Sequence, residues 1–199
     1  MIAILDYGAG NLRSVQNTLG AIGCEYELVR HADGLLAASK IILPGVGHFG
    51  QMMRALDDLG VRMALKQAIV GGTPFLGICL GMQGLFERSE EAPDVEGLGI
   101  YQGEAKRFSR DARVPHMGWN TLTPVRTGHL VDHPVQQETY VYFAHSYYVP
   151  VVPQTSATCT YTVPYTAVLE CGNVYGVQFH PEKSGSAGMD IVRRFVELC

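Results

Sequence analysis

The first half of the chain alternates short, wholly apolar runs with stretches whose apolar residues recur every three or four positions. Ile2-Ala3-Ile4-Leu5 has no polar residue, the pattern of a strand covered on both faces of a sheet. Leu12, Val15, Leu19 and Ile22 follow at helical spacing, and Gly23 is placed to end that helix. Residues 25–30 and 40–43 read as the next two strands, with 31–39 a small-residue loop or short helix between them. Met52, Met53, Leu56 and Leu59, then Val61, Ala64, Leu65, Ala68 and Ile69, predict two helices broken near Gly60. Residues 75–78, entered through Gly71-Gly72-Thr73-Pro74, make a fourth strand. Residues 80–88 continue as a helix. Strand–helix units in succession predict a parallel sheet with right-handed crossovers.

The texture then changes. Residues 89–97 carry four acids and a proline and read as a solvated loop. Segments 98–108, 114–120, 140–149, 156–161, 167–171 and 174–179 are short, β-branched and aromatic, and are separated by glycine, proline and polar residues. They predict mostly antiparallel strands added to the sheet. Residues 187–198 form an amphipathic helix that covers a sheet face. With no linker or repeat in view, the expectation is one α/β domain spanning 1–199, a mixed sheet between helices.

Composition narrows the functional classes. A net charge of -4 and a pI near 5.9 argue against nucleic acid as the main partner. No apolar run approaches the ~20 residues of a membrane span. The start, Met1 to Asp6, lacks the basic region of a signal peptide and reads as a strand. Five scattered cysteines without a Cys-x-x-Cys fit a reducing, cytoplasmic setting rather than a disulfide framework or a zinc site. The seven histidines include no metal-spaced pair with a third ligand, so no metal is expected. The Met52-Met53 pair reads as core filler.

The chemistry concentrates in two stretches. Gly77-Ile78-Cys79-Leu80-Gly81 places a cysteine between strand and helix. This is the thiol counterpart of the tight turn that exposes a nucleophilic serine in α/β-hydrolases. Free N–H groups at a helix start favour a thiolate there. Taken alone, the pattern also suits a buried structural thiol. The second stretch ends in Phe179-His180-Pro181-Glu182. Residues i and i+2 of an extended chain share a side, so Glu182 can orient His180 and leave the other ring nitrogen for Cys79. Nucleophile, base and orienter are then all present.

Continued through Met82-Gln83 and through Lys183-Ser184, these two stretches resemble those of the class I (triad) glutamine amidotransferases, which have a flavodoxin-like fold. Within that family, further segments are similar to the glutaminase subunits of imidazole glycerol phosphate synthase. They are Asp6-Tyr7-Gly8-Ala9-Gly10-Asn11-Leu12, Leu43-Pro44-Gly45-Val46-Gly47, Pro115-His116-Met117-Gly118-Trp119-Asn120 and Ala144-His145-Ser146-Tyr147-Tyr148. The resemblance runs from Ile2 to Cys199. It implies L-glutamine as substrate, Cys79, His180 and Glu182 as the triad, and an oxyanion hole from the N–H groups of Val46 and Leu80. Gln83, Gly47, Ser146 and Tyr147 fall on the substrate side; for Gln83 the plain alternative is a solvent-facing helix residue. Asn11, Trp119 and Lys183 fall at the face that meets a cyclase subunit, expected as a separate polypeptide in a heterodimer. By default a lone tryptophan is core. His116 and His145 need do no chemistry. No cofactor is expected, since amide hydrolysis moves no electrons. Glycines on both sides of Val46 would leave its peptide free to rotate. Two alternatives stay open: a glutaminase serving another synthase, such as that of pyridoxal phosphate, or a non-catalytic binding or redox-sensing relative.

Overall fold

The computed structural model describes residues 1–8, 11–131 and 138–199. Ala9 and Gly10, in the middle of one motif segment, lie outside the described residues. The first half unfolds as read: β1 (Ile2–Leu5), α1 (Leu12–Ile22), β2 (Tyr26–Val29), α2 (Ala32–Leu36), β3 (Lys40–Gly45), α3 (Phe49–Asp58), α4 (Arg62–Val70) and β4 (Phe75–Cys79). Gly23 ends α1 in the left-handed conformation, φ 85°, and its N–H returns to the helix carbonyls.

The β1 run alternates between two cores. Ile2 and Ile4 pack with Val15 and Leu19 of α1, while Ala3 and Leu5 pack with Leu35, Phe49 and Leu56 from α2 and α3. Each strand residue therefore meets a helix on whichever side it points, which is why no polar position interrupts the run.

The helix expected over 80–88 stops early. α5 covers only Leu80–Gln83, and Phe86–Ser89 is a strand, β5. The carbonyls that would continue the helix are taken by a later segment: Gly84 O accepts Leu98 N–H, and Leu85 O accepts Ile100 and Tyr101 N–H. Tertiary pairing overrides local propensity here.

The rest comprises β6 (Tyr101–Arg107), β7 (His116–Pro124), β8 (Thr139–His145), β9 (Tyr147–Tyr148), β10 (Thr155–Tyr161), β11 (Val163–Cys171), β12 (Val174–Val177), a 3-10 turn (Pro181–Lys183) and α6 (Gly185–Leu198). Among the described residues, nine strands form one sheet in the order β2-β1-β3-β4-β12-β11-β10-β7-β8. The first five are mutually parallel, and the remainder pair antiparallel. Not every later strand joins it, as the sequence implied: β5, β6 and β9 form a separate small sheet. The parallel part has the flavodoxin-like order, which places ligands beyond the carboxyl ends of the strands. No helix among the described residues is long and apolar enough to cross a membrane.

Candidate active site

β4 delivers Cys79 at its carboxyl end in a backbone conformation that side chains rarely adopt, φ 53° and ψ -107°. Glycines make the turn possible through close approach. A Cβ on Gly81 would stand 2.1 Å from the Leu43 carbonyl oxygen, and one on Gly77 would stand 2.6 Å from that of Gly81. Gly45 is equally pinned, since its Cβ would meet Gly81 N at 2.4 Å. The freedom expected on both sides of Val46 is thus confined to Gly47, at φ 97° in open space. Because α5 is a single turn, its dipole offers Cys79 little; the decisive partner is an imidazole.

β12 runs parallel beside β4, with Val177 opposite Ile78. Three residues beyond its end stands His180, whose N–H donates to the Tyr142 carbonyl at 2.9 Å. His180 Nδ1 lies 2.9 Å from Glu182 Oε1, and both side chains are at most 3% exposed. Nδ1 therefore carries the proton, which assigns Nε2 to the thiol of Cys79. Burial alone would lower the histidine's pKa, but hydrogen bonds to Cys79 and Glu182 and their charges outweigh it and push it up to about 10. The contact with Glu182 arises differently from the expectation. The carboxylate sits in the 3-10 turn Pro181–Lys183, so the chain folds back after His180 rather than continuing extended. Its Oε2 is buried with no hydrogen-bond partner, leaving the imidazole as the main neutraliser of that charge.

Cys79 and His180 open onto a cleft of about 270 Å³. Val46, Gly47, Leu80, Gln83, Ser146 and Tyr147 line it, as does Lys183. Tyr7 stands behind Val46 with its hydroxyl buried and without a hydrogen-bond partner, and burial drives that phenol up to about 12. Gln83 is not solvent-facing: it is 3% exposed, and its Nε2 donates to Tyr147 O at 2.8 Å and to Gln178 Oε1 at 3.1 Å.

Three residues at the site have no role assigned from the sequence: Gln178 and Glu91 are not singled out there, and His145 is named but set aside. Gln178 is fully buried and donates from Nε2 to Cys79 Sγ at 3.5 Å. It lies two positions before His180, on the same side of the extended chain, and that spacing was the available signal. Glu91 lines the cleft while its Oε2 accepts the Phe49 N–H at 2.7 Å, so residues 89–97 are not merely solvated. His145 also lines the cleft, and its Nδ1 is 2.8 Å from Tyr147 O. A carbonyl can only accept, so Nδ1 holds the proton and Nε2 is an acceptor. Nε2 faces His116 Nδ1 and Tyr165 Oη, both at 3.3 Å. On the far side, the Asn120 amide stands 3.5 Å from His116 Nε2. Every role closes with both rings neutral. Burial holds His116 down at about 4; at His145 burial is again the main cause, with a value of about 3.

Asn11 and Trp119 are absent from the cleft lining. Trp119 is 56% exposed rather than core, on the outer side of β7 with Met117. Its ring packs edge-on against Tyr142, the residue paired with it across the β7–β8 ladder. Asn11 precedes α1, its Oδ1 accepting from the Ser14 hydroxyl. Lys183, by contrast, lines the cleft and is exposed.

The family model for "Glutamine amidotransferase class-I" matches residues 3–198. A relative from Methanothermobacter thermautotrophicus, "Imidazole glycerol phosphate synthase subunit HisH", is 45% identical over 199 residues, covering 100% of this chain and 98% of its own. A protein of the same name from Geobacillus thermodenitrificans is 45% identical over 208 residues, covering 100% and 96%. In fold, the chain is similar to a crystal structure of a glutamine amidotransferase (TM-score 0.78, 19% identity, 99% of this chain and 97% of that one). It is also similar to a chain in the structure of PurLQS from Thermotoga maritima (TM-score 0.75, 21% identity, 98% and 96%).

Proposed function

The chain belongs to the class I glutamine amidotransferase family, and on that footing we propose that it hydrolyses L-glutamine and hands the ammonia to a cyclase subunit of imidazole glycerol phosphate synthase. The observation that carries the reading is His180 held between Cys79 and a buried Glu182 at the wall of an open cleft.

The chemistry follows from that geometry. The Cys79 thiolate attacks the side-chain amide carbon, and the carbonyl electrons move onto oxygen. N–H groups of Val46 and Leu80 receive the oxyanion, the Val46 peptide turning on Gly47 to do so. His180 Nε2 delivers its proton to the leaving nitrogen, and the C–N bond breaks to release ammonia. A thioester remains. Water, deprotonated by His180, attacks it and frees glutamate with regeneration of the thiol. Glu182 keeps the proton on Nδ1 and favours the imidazolium throughout. Gln83 and Gln178 shape the wall beside Cys79. Glu91, the one acidic residue of the cleft lining among the described residues, suits the α-ammonium group of glutamine. Ammonia then enters the reaction of phosphoribulosyl-formimino carboxamide ribotide that yields imidazole glycerol phosphate and aminoimidazole carboxamide ribotide, in the cytoplasm. The exposed Trp119, with Asn11 and Lys183, forms the face for the cyclase.

The test is glutamate release with and without the cyclase and its ligand. Slow turnover alone, strong stimulation by the cyclase and no turnover in Cys79→Ala are expected. A Cys79→Ala variant that still releases glutamate overturns the reading.

A further inference from the structure

We propose that Ser184 is a positioning residue that clamps the turn carrying His180 and Glu182 onto β8; this rests on the reading of His180 as the base. Ser184 stands at the head of α6, where a serine ordinarily accepts a hydrogen bond from the second or third N–H of the helix. It makes no such cap. Its hydroxyl, on a side chain buried to 2% exposure, instead accepts the Tyr142 N–H at 2.9 Å and donates to the His180 carbonyl at 2.7 Å. The Tyr142 carbonyl in turn accepts the His180 N–H at 2.9 Å. His180 is therefore tied to one residue of β8 twice, directly and through the serine oxygen.

The surroundings are built to keep that oxygen in place. Ser184 N–H closes the turn onto Pro181 O at 3.0 Å, and Gly188 N–H bonds Ser184 O at 3.2 Å. A Cβ on Gly188 would stand 2.0 Å from the Pro181 oxygen, so the helix can pack this close only at a glycine. A serine serving stability alone would cap α6. This one is turned away from the helix toward the base. Without the hydroxyl, the partly buried Tyr142 N–H is left unpaired, which drives the turn to relax. Because Pro181 and Glu182 lie inside the clamped loop, relaxation moves ring and carboxylate together relative to Cys79.

Ser184→Thr keeps the hydroxyl, and Ser184→Val matches threonine in shape without it. Measured in the complex with cyclase, the valine variant should lose about 10- to 100-fold in kcat, the range expected for a misplaced reacting group. Its KM for glutamine should stay within about twofold, since the substrate wall is untouched. Threonine should remain within about threefold of wild type. A second readout needs no glutamine: the rate of Cys79 alkylation by iodoacetamide between pH 5 and 9, followed by peptide mass analysis. Its pH profile should move in the valine variant and be restored by threonine. Equal kcat and equal profiles for threonine and valine overturn the proposal. If the wild-type complex releases no glutamate, the glutaminase reading fails instead, and the alkylation profiles still decide the role of Ser184.

Discussion

Acid should weaken this protein through one buried pair of rings, and His116→Phe should remove a definable part of that effect. His116 is sandwiched between Tyr161, at 4.1 Å and 11°, and Phe143, at 5.0 Å and 21°, so a phenyl ring can occupy its place. Burial holds the folded pKa of His116 at about 4 and is the main cause of the value of about 3 at His145. Unfolded, each titrates near 6.5. Below 6.5 the unfolded chain binds protons that the folded one refuses, so stability falls as pH falls from 6.5 toward 4. At pH 5 the deficit is one and a half units, and at about 1.4 kcal/mol per unit each histidine costs about 2 kcal/mol relative to pH 7.5. His180 works the other way. Its folded value is raised, so its stabilisation is complete below 6.5 and is lost as pH rises toward 10. Comparing two variants at the same two pH values cancels His180 and every other unchanged group. Urea melts of wild type and His116→Phe at pH 7.5 and 5 should show the variant losing about 2 kcal/mol less across that interval. At pH 7.5 it should be weaker by about 1 kcal/mol, for a lost hydrogen bond that Tyr165 Oη partly replaces at His145 Nε2. Equal acid losses in both proteins refute the neutral-pair argument.

Two further outcomes follow from the site. Glu91→Gln keeps an oxygen for the Phe49 N–H but removes the charge facing the cleft. Steady-state kinetics should show the KM for glutamine rising by about tenfold or more while kcat changes less, the signature of lost ground-state binding; an unchanged KM removes Glu91 from the substrate wall. Trp119→Ala deletes an exposed aromatic anchor and should weaken cyclase binding by about 30-fold or more in calorimetry, as for an interface hot spot, with the turnover of the isolated chain unchanged.

The sequence carried the parallel half of the fold and the triad for the same physical reason. A wholly apolar run of four or five residues has one stable use, and the glycines around Cys79 report a close approach that only a tight turn requires. What escaped reading depends on contacts between distant segments. Nothing within residues 80–88 says that the carbonyls of Gly84 and Leu85 will be claimed by residues 98–101. Gln178 shares a side with His180 by its spacing, but its reach to Cys79 follows only from β12 lying beside β4. Glu91 reads as one acid among four until its carboxylate meets the start of α3. Exposure of Trp119 was likewise hidden, because β7 shows an apolar residue on both of its sides: Leu122 inward in the core, Trp119 outward.

The two faces of β7 and β8 bear on how a partner could govern turnover. His116 and Asn120 point inward to the neutral histidine pair, which leads through the Tyr147 carbonyl to Gln83. Met117 and Trp119 point outward. Tyr142, against which Trp119 packs, holds His180 by its carbonyl and Ser184 by its N–H. A shift of this ladder against β12 by a fraction of an ångström therefore acts on the base and the substrate wall at once, with no separate switch required. Coupling of that kind is energetic only if the ladder has two arrangements that the partner distinguishes. If the cyclase docks on the aromatic face as proposed, Trp119 against Tyr142 is where it makes the differential contact, and the two bonds at Tyr142 connect that contact to His180.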